Sequence, residues 1–222
     1  MVKRNESVAE TRQRIVAAAT QLHGTLGPAA TSIAAIADAA GVTRVTVYRH
    51  FADAEALFGA CSAHWITEHL PPQPELWAAF EEPAERLRAA LSDLYRFYEN
   101  GEQMLALVRR DREHVPESIT RQWREGDANM RDLVVRAFRA RGAAKRRIRA
   151  AIGHALSFDT WRSLCREQGL SRSTAVDVMV RMVVDGLATA PLPRRTKPLV
   201  RNRLGGGDQE SRTRMASSTS AR

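Results

Sequence analysis

Between Gly27-Pro28 and Phe51 the chain has room for two short helices and one way of joining them. The stretch is TSIAAIADAAGVTRVTVYRHF, residues 31–51. Thr31 and Ser32 follow the Gly-Pro break, and a hydroxyl there accepts a hydrogen bond from an unpaired backbone N–H, so a helix is expected from about Thr31. Ile33, Ile36, Ala37 and Ala40 recur at helical spacing and give a narrow inward face whose alanines let a neighbour approach closely. Gly41 supplies the left-handed backbone of a sharp turn, Val42 plugs the angle, and Thr43 is placed to cap a second helix over about Arg44 to His50. On that helix Val47 and Phe51 face inward. Arg44, Thr46, Arg49 and His50 are left as donors beside the small Val45, with the Tyr48 hydroxyl at the rim. Such groups suit phosphates and base edges, so the layout is that of a helix-turn-helix for double-stranded DNA.

The pattern extends on both sides. Upstream, Ile15, Ala18, Ala19 and Leu22 form an apolar stripe on a helix that Ser7-x-x-Glu10 would open as a capping box. Downstream, Asp53 restarts the helix, with Glu55, Leu57 and Phe58 following. With Ile36-Ala37, Ala40-Gly41-Val42-Thr43 and Thr46-Val47-Tyr48-Arg49-His50-Phe51, these residues resemble the TetR family of one-component transcriptional regulators over residues 8–65. The resemblance implies an all-α chain: an N-terminal three-helix DNA-binding domain, then a larger helical ligand-binding and dimerisation domain. It also implies a DNA-contacting set of Thr31, Ser32, Arg44, Val45, Thr46, Tyr48, Arg49 and His50. Arg44, Val45 and Thr46 would read bases, Thr31, Tyr48 and His50 would anchor phosphates, and Arg49 could do either; Lys3 and Arg4 would form a minor-groove arm. Two positions depart from the family pattern. Val45 stands where a small residue, commonly glycine, is usual, and would favour an apolar base feature such as a thymine methyl. Ala54 stands where a lysine often anchors a phosphate, which keeps open a second reading: an interaction protein of the same fold that no longer binds an operator.

Charge separates a basic head from a neutral middle. The whole chain carries +9; residues 1–52 contribute +3 and residues 191–222 contribute +6, leaving residues 53–190 balanced. A basic head on a neutral body suits nucleic acid. Residues 191–222, rich in Pro, Gly, Ser and Arg without apolar pattern, are expected to be a disordered basic tail. No apolar run is long enough for a membrane span, the opening MVKRNESVAE has no secretory stretch, and Cys61 and Cys165 do not make a disulfide framework. A cytoplasmic protein is expected.

Beyond the head, helical periodicity persists and no period-two pattern breaks it. A fourth helix is predicted over about Asp53 to Leu70. Leu87 to Tyr98 predicts a fifth, stopped by Asn100-Gly101, and Met104 to Val108 a short sixth ending near Pro116. Ile119 to Phe138 predicts a seventh stopping at Gly142, and Ile148 to Leu164 an eighth stopping at Gly169. The last runs over about Ser173 to Ala190. These elements give the domain reading 1–52, 53–190 and a tail over 191–222. By the resemblance, the last two long helices pair with their copies in a homodimer whose two heads span a palindromic operator, and a small-molecule effector of unknown identity releases the DNA. Tyr95, Tyr98, Trp123, His154, Phe158 and Trp161 are the ligand candidates, as aromatic or polar-tipped residues suited to a mostly apolar pocket, with Asp159 and Arg162 as nearby polarity. Core packing is the ordinary role for any one of them. Cys61, His64 and His69 lack a fourth ligand at a recognisable spacing, so no metal is expected. No phosphate-binding glycine loop, Gly-x-Ser-x-Gly or His-Glu-x-x-His occurs, and neither catalytic residues nor a cofactor is expected.

Overall fold

The structure, a computed structural model, describes residues 2–188, with side chains over residues 7–186. The expected tail over 191–222 and the side chains of Lys3 and Arg4 lie outside the described residues. Within them every regular element is helical, and a three-helix helix-turn-helix domain is followed by a larger helical domain.

The head comprises α1 (Val2–Thr25), a single 3-10 turn (Pro28–Ala30), α2 (Ile33–Ala40) and α3 (Arg44–His50). Helix α1 begins well before Ser7, so the expected capping box does not form; Ser7 sits in mid-helix, its carbonyl accepting from the Thr11 hydroxyl at 2.8 Å. Ile15, Ala18 and Ala19 of α1 meet Ile36, Ala37 and Ala40 of α2 and Val47 and Phe51 at α3. Ile15 and Ala19 are wholly buried, and closing an Ile-sized side chain from water stabilises by about 1.5–3 kcal/mol. Helix α4 (Ala54–Glu68) starts from Asp53, whose carboxylate accepts from Ala56 N–H at 2.7 Å, and it adds Leu57 and Cys61 to this same core.

The second apolar core is built by α6 (Pro83–Arg110), α7 (Glu117–Ala137), α8 (Gly142–Ala155), α9 (Phe158–Arg162) and α10 (Arg172–Ala188), with Trp77 from α5 (Pro74–Ala78) closing one end. Its middle is Leu87, Leu91, Tyr95, Ile152 and Trp161, each buried completely. Both cores lie within one compact unit ending at Thr189.

Three breaks fall elsewhere than the periodicity predicts. Asn100-Gly101 does not stop a helix; α6 runs through it for 28 residues. Gly101 is there for space, since a Cβ would lie 2.6 Å from Cζ2 of the Trp65 ring. The stretch predicted as one helix from Ile148 to Gly169 is broken at Ser157, whose hydroxyl accepts from Thr160 N–H at 3.1 Å and caps α9. After α9 the chain widens into a π-type turn over Ser163–Glu167, where Gln168 N–H donates to the Ser163 carbonyl at 2.9 Å. Gly142 opens α8 rather than closing α7, and the reversal between them uses left-handed backbone at Arg139, φ 48°, and at Gly142, φ 57°. Helix α5 is an element that the periodicity did not predict.

Candidate DNA-reading face and ligand cavity

The turn between α2 and α3 is held by its own residues. Ser32 caps α2 by accepting from Ala35 N–H at 3.1 Å. Gly41, at φ 65° and ψ 39°, donates its N–H back to the Ala37 and Asp38 carbonyls. Thr43 caps α3 by accepting from Thr46 N–H at 3.2 Å, and its hydroxyl also meets the Thr46 hydroxyl at 3.0 Å. These bonds satisfy the N–H groups that helix starts leave unpaired.

The orientation of α3 follows from two buried anchors. Val47 is 1% exposed and Phe51 3%, and the Arg12 guanidinium lies 4.6 Å over the Phe51 ring. The opposite face therefore points outward. Val45 is 68% and Tyr48 57% exposed, Arg44 and Arg49 are exposed, and Thr46 and His50 are half-buried. Thr31 turns its hydroxyl inward to the Gly27 carbonyl at 2.8 Å and is half-buried, while Ser32 is exposed. The structure thus gathers Arg44, Val45, Tyr48 and Arg49 on one open face, with Ser32 spent on capping.

A side-chain clasp joins the far end of α6 to the segment leading into α2. The Arg110 guanidinium donates to Asp111 at 2.7 and 2.9 Å and also to the Leu26 carbonyl at 2.8 Å. The Asp111 carboxylate in turn accepts from Ala29 N–H at 3.1 Å. The Arg110 guanidinium, helped by the Ala29 N–H, holds the Asp111 carboxyl down at about 2. Gly27 lies between the clasp and the backbone, at φ 91° and ψ 162°, and a Cβ there would run into Asp111 and approach Nη2 of Arg110 to 2.5 Å.

Arg110 also reaches a cavity of about 960 Å³, walled by α1, α4, α6, α7 and α9. Its lining is mainly apolar, with Phe58, Trp65, Phe97, Tyr98, Met104, Trp123, Met130 and Phe158 among the wall residues. The rings interlock: His23 lies 4.9 Å from Phe58, Phe58 6.1 Å from Trp123, and Tyr98 5.5 Å edge-on from Phe158. Arg109, stacked 4.9 Å over Phe158, and Asp127, Asp159 and Arg162 supply polarity. Burial lowers the His23 imidazole below its ordinary value and keeps it neutral at pH 7. The same cause raises the Asp127 carboxyl, against the pull of Arg109, Arg131 and Arg112. A cavity of this size and lining is of the kind that holds drug-sized molecules.

Of the six aromatic or polar-tipped ligand candidates, Tyr98, Trp123 and Phe158 line the cavity. Tyr95 is closed in the core with its hydroxyl on the Ala155 carbonyl at 2.9 Å, Trp161 is wholly buried, and His154 is exposed on the outer side of α8. Phe58, Trp65 and Phe97 complete the wall although sequence reasoning did not select them as ligand candidates; their apolar helical spacing is indistinguishable from core packing. Cys61 packs in the core with its thiol pushed up to about 11 by burial, His64 faces Glu68 at 3.7 Å, and His69 stacks on Trp65 at 4.2 Å.

Comparison with known proteins agrees with this geometry. Residues 15–61 match the family described as bacterial regulatory proteins, tetR family. No curated protein matches the chain in sequence. Among solved structures, a TetR-like transcriptional regulator from Rhodococcus sp. RHA1 is similar at 18% identity, with a TM-score of 0.57 over 81% of this chain and 97% of that one. NalD, the secondary repressor of the MexAB-OprM multidrug efflux pump in Pseudomonas aeruginosa, is similar at 24% identity, with a TM-score of 0.55 over 82% of this chain and 97% of that one. The chain therefore carries the TetR-family helix-turn-helix domain within the fold of TetR-like transcriptional regulators.

Proposed function

We propose that this protein is a sequence-specific, DNA-binding transcriptional repressor of the cytoplasm that acts as a homodimer on a palindromic operator, without enzymatic activity, and is released by a small apolar effector. The observation that carries this reading is the outward face of α3, where Arg44, Val45, Tyr48 and Arg49 stand exposed while Val47 and Phe51 hold the helix down. One such helix reads only a few base pairs, at about 1–3 kcal/mol of discrimination per good bidentate contact. Two heads on a two-fold axis multiply the readout and require half-sites roughly 34–36 Å apart, or a multiple of that. The dimer contact falls to α10 and the neighbouring part of α8 to α9; Met182 on α10, 65% exposed, is a large apolar side chain in need of cover.

The effector site is the 960 Å³ cavity, with Tyr98, Trp123 and Phe158 in its wall. Its link to DNA is the Arg110–Asp111 clasp, because Arg110 touches both the cavity and the Leu26 carbonyl just ahead of α2. An effector that favours a different Arg110 position shifts the head, by no more than its differential affinity for the two states.

The test is the base preference of two variants on the operator. Arg44→Ala is expected to relax sequence preference, and Tyr48→Phe to weaken all sites alike. Unchanged binding in both variants would remove α3 as the reading element.

A further inference from the structure

The corner where α7 turns into α8 carries a charge that the balanced total of residues 53–190 conceals. Residues 136–149 contain Arg136, Arg139, Arg141, Lys145, Arg146, Arg147 and Arg149, and no Asp or Glu occurs from Leu133 to Phe158. Arg149 is neutralised by Asp132. The other six are exposed, and none of them has an ion pair among the described residues. Arg141 stands at the cap position of α8, and Lys145, Arg146 and Arg147 follow consecutively within its first two turns, with no acidic residue in the first. Cations at the N-terminal end of a helix oppose its dipole. Arg139 adds a cost of its own, since its left-handed backbone at φ 48° would suit glycine better. Folding gains nothing from this arrangement, which makes sense if something anionic covers it.

We infer that the α7–α8 corner is a second, sequence-independent contact for the phosphate backbone of double-stranded nucleic acid, separate from the α3 face. Three alternatives fit less well. An anionic membrane is held by basic helices that also insert apolar side chains, and no large apolar side chain is exposed between residues 136 and 149. A protein interface usually buries an apolar core inside its polar rim, and the same observation leaves this corner without one. A second copy of this chain would bring like charges together. A polyanion needs only cations in reach, and it binds by releasing its own counterions.

The experiment measures the affinity of the full-length protein for a labelled random-sequence duplex across a salt series. The wild type is compared with K145Q/R146Q/R147Q and with the charge-conserving K145R/R146K/R147K. All three positions are exposed, and a thermal melt checks that both variants fold. The glutamine variant is expected to lose up to about 2–3 from the slope of log affinity against log salt, near 0.9 per phosphate contact, while the charge-conserving variant keeps the wild-type slope. Specific recognition through α3 remains in both, so a failed α3 reading would not produce this pattern. A glutamine variant with the wild-type slope would overturn the inference. So would a glutamine variant that loses only binding to phosphatidylglycerol vesicles and keeps its duplex slope.

Discussion

Gly27→Ala strikes the joint between body and head, where backbone and packing both oppose an added Cβ. The native backbone at φ 91° and ψ 162° lies in a region essentially reserved for glycine, where another residue costs roughly 1–3 kcal/mol. The added Cβ must also push aside the Asp111 carboxylate and the Arg110 guanidinium, an overpacking that typically adds about 1–3 kcal/mol. Against this, alanine lowers the entropy of the unfolded chain by about 0.4–1 kcal/mol. The net loss is then about 1–5 kcal/mol, a melting point lower by roughly 2–20 °C for a chain of this length. Thermal melts followed by circular dichroism measure it, with Asp111→Asn beside them as a variant that weakens the clasp without straining the backbone. Hydrogen exchange at the Ala29 amide is expected to accelerate in both variants. If Gly27→Ala melts with the wild type, the left-handed joint and the clasp around it are both refuted.

Three further outcomes follow from the same contacts. Because the folded Asp111 carboxyl sits at about 2, below its ordinary value of 3.8, the clasp contributes fully above the ordinary value and is lost as pH falls through the folded one; Ala29 exchange protection should survive at pH 4 and fade toward pH 2. Burial holds the His23 imidazole below its ordinary value, so the unfolded chain takes up its proton first, near pH 6.5; stability should fall as pH drops below about 6.5, and His23→Gln should flatten that part of the profile. Thr43→Ala removes the cap on α3 and should cost about 0.5–2 kcal/mol in urea unfolding, whereas Thr43→Ser should retain most of it.

The α2–turn–α3 unit was legible in the sequence because its determinants are local: Ser32, Gly41 and Thr43 each act on backbone within a few residues. Asn100-Gly101 misled because a glycine reads as a helix stop, whereas its partner here is Trp65, 36 residues earlier in the chain. The break at Ser157 carried a local signal, a hydroxyl three residues before the Thr160 N–H it caps, and strong apolar spacing on both sides hid it. In the cavity, periodicity alone could not separate Tyr98, in the wall, from Tyr95, one turn away and closed in the core. The clasp had no sequence signature, since Ala29 and Asp111 are 82 residues apart. Summing charge over a whole domain concealed the basic corner, which emerges only when position is kept.

Sequence-specific recognition of DNA by a two-headed protein is open to selection from genomic DNA. The purified protein is incubated with sheared DNA from its own source organism at near-physiological salt, and what it retains is sequenced. An enriched palindrome is expected, with half-sites one helical turn, or a multiple of it, apart. Retained DNA without a common palindrome, from a protein that light scattering shows to be a dimer, would contradict it and favour an interaction protein of the same fold.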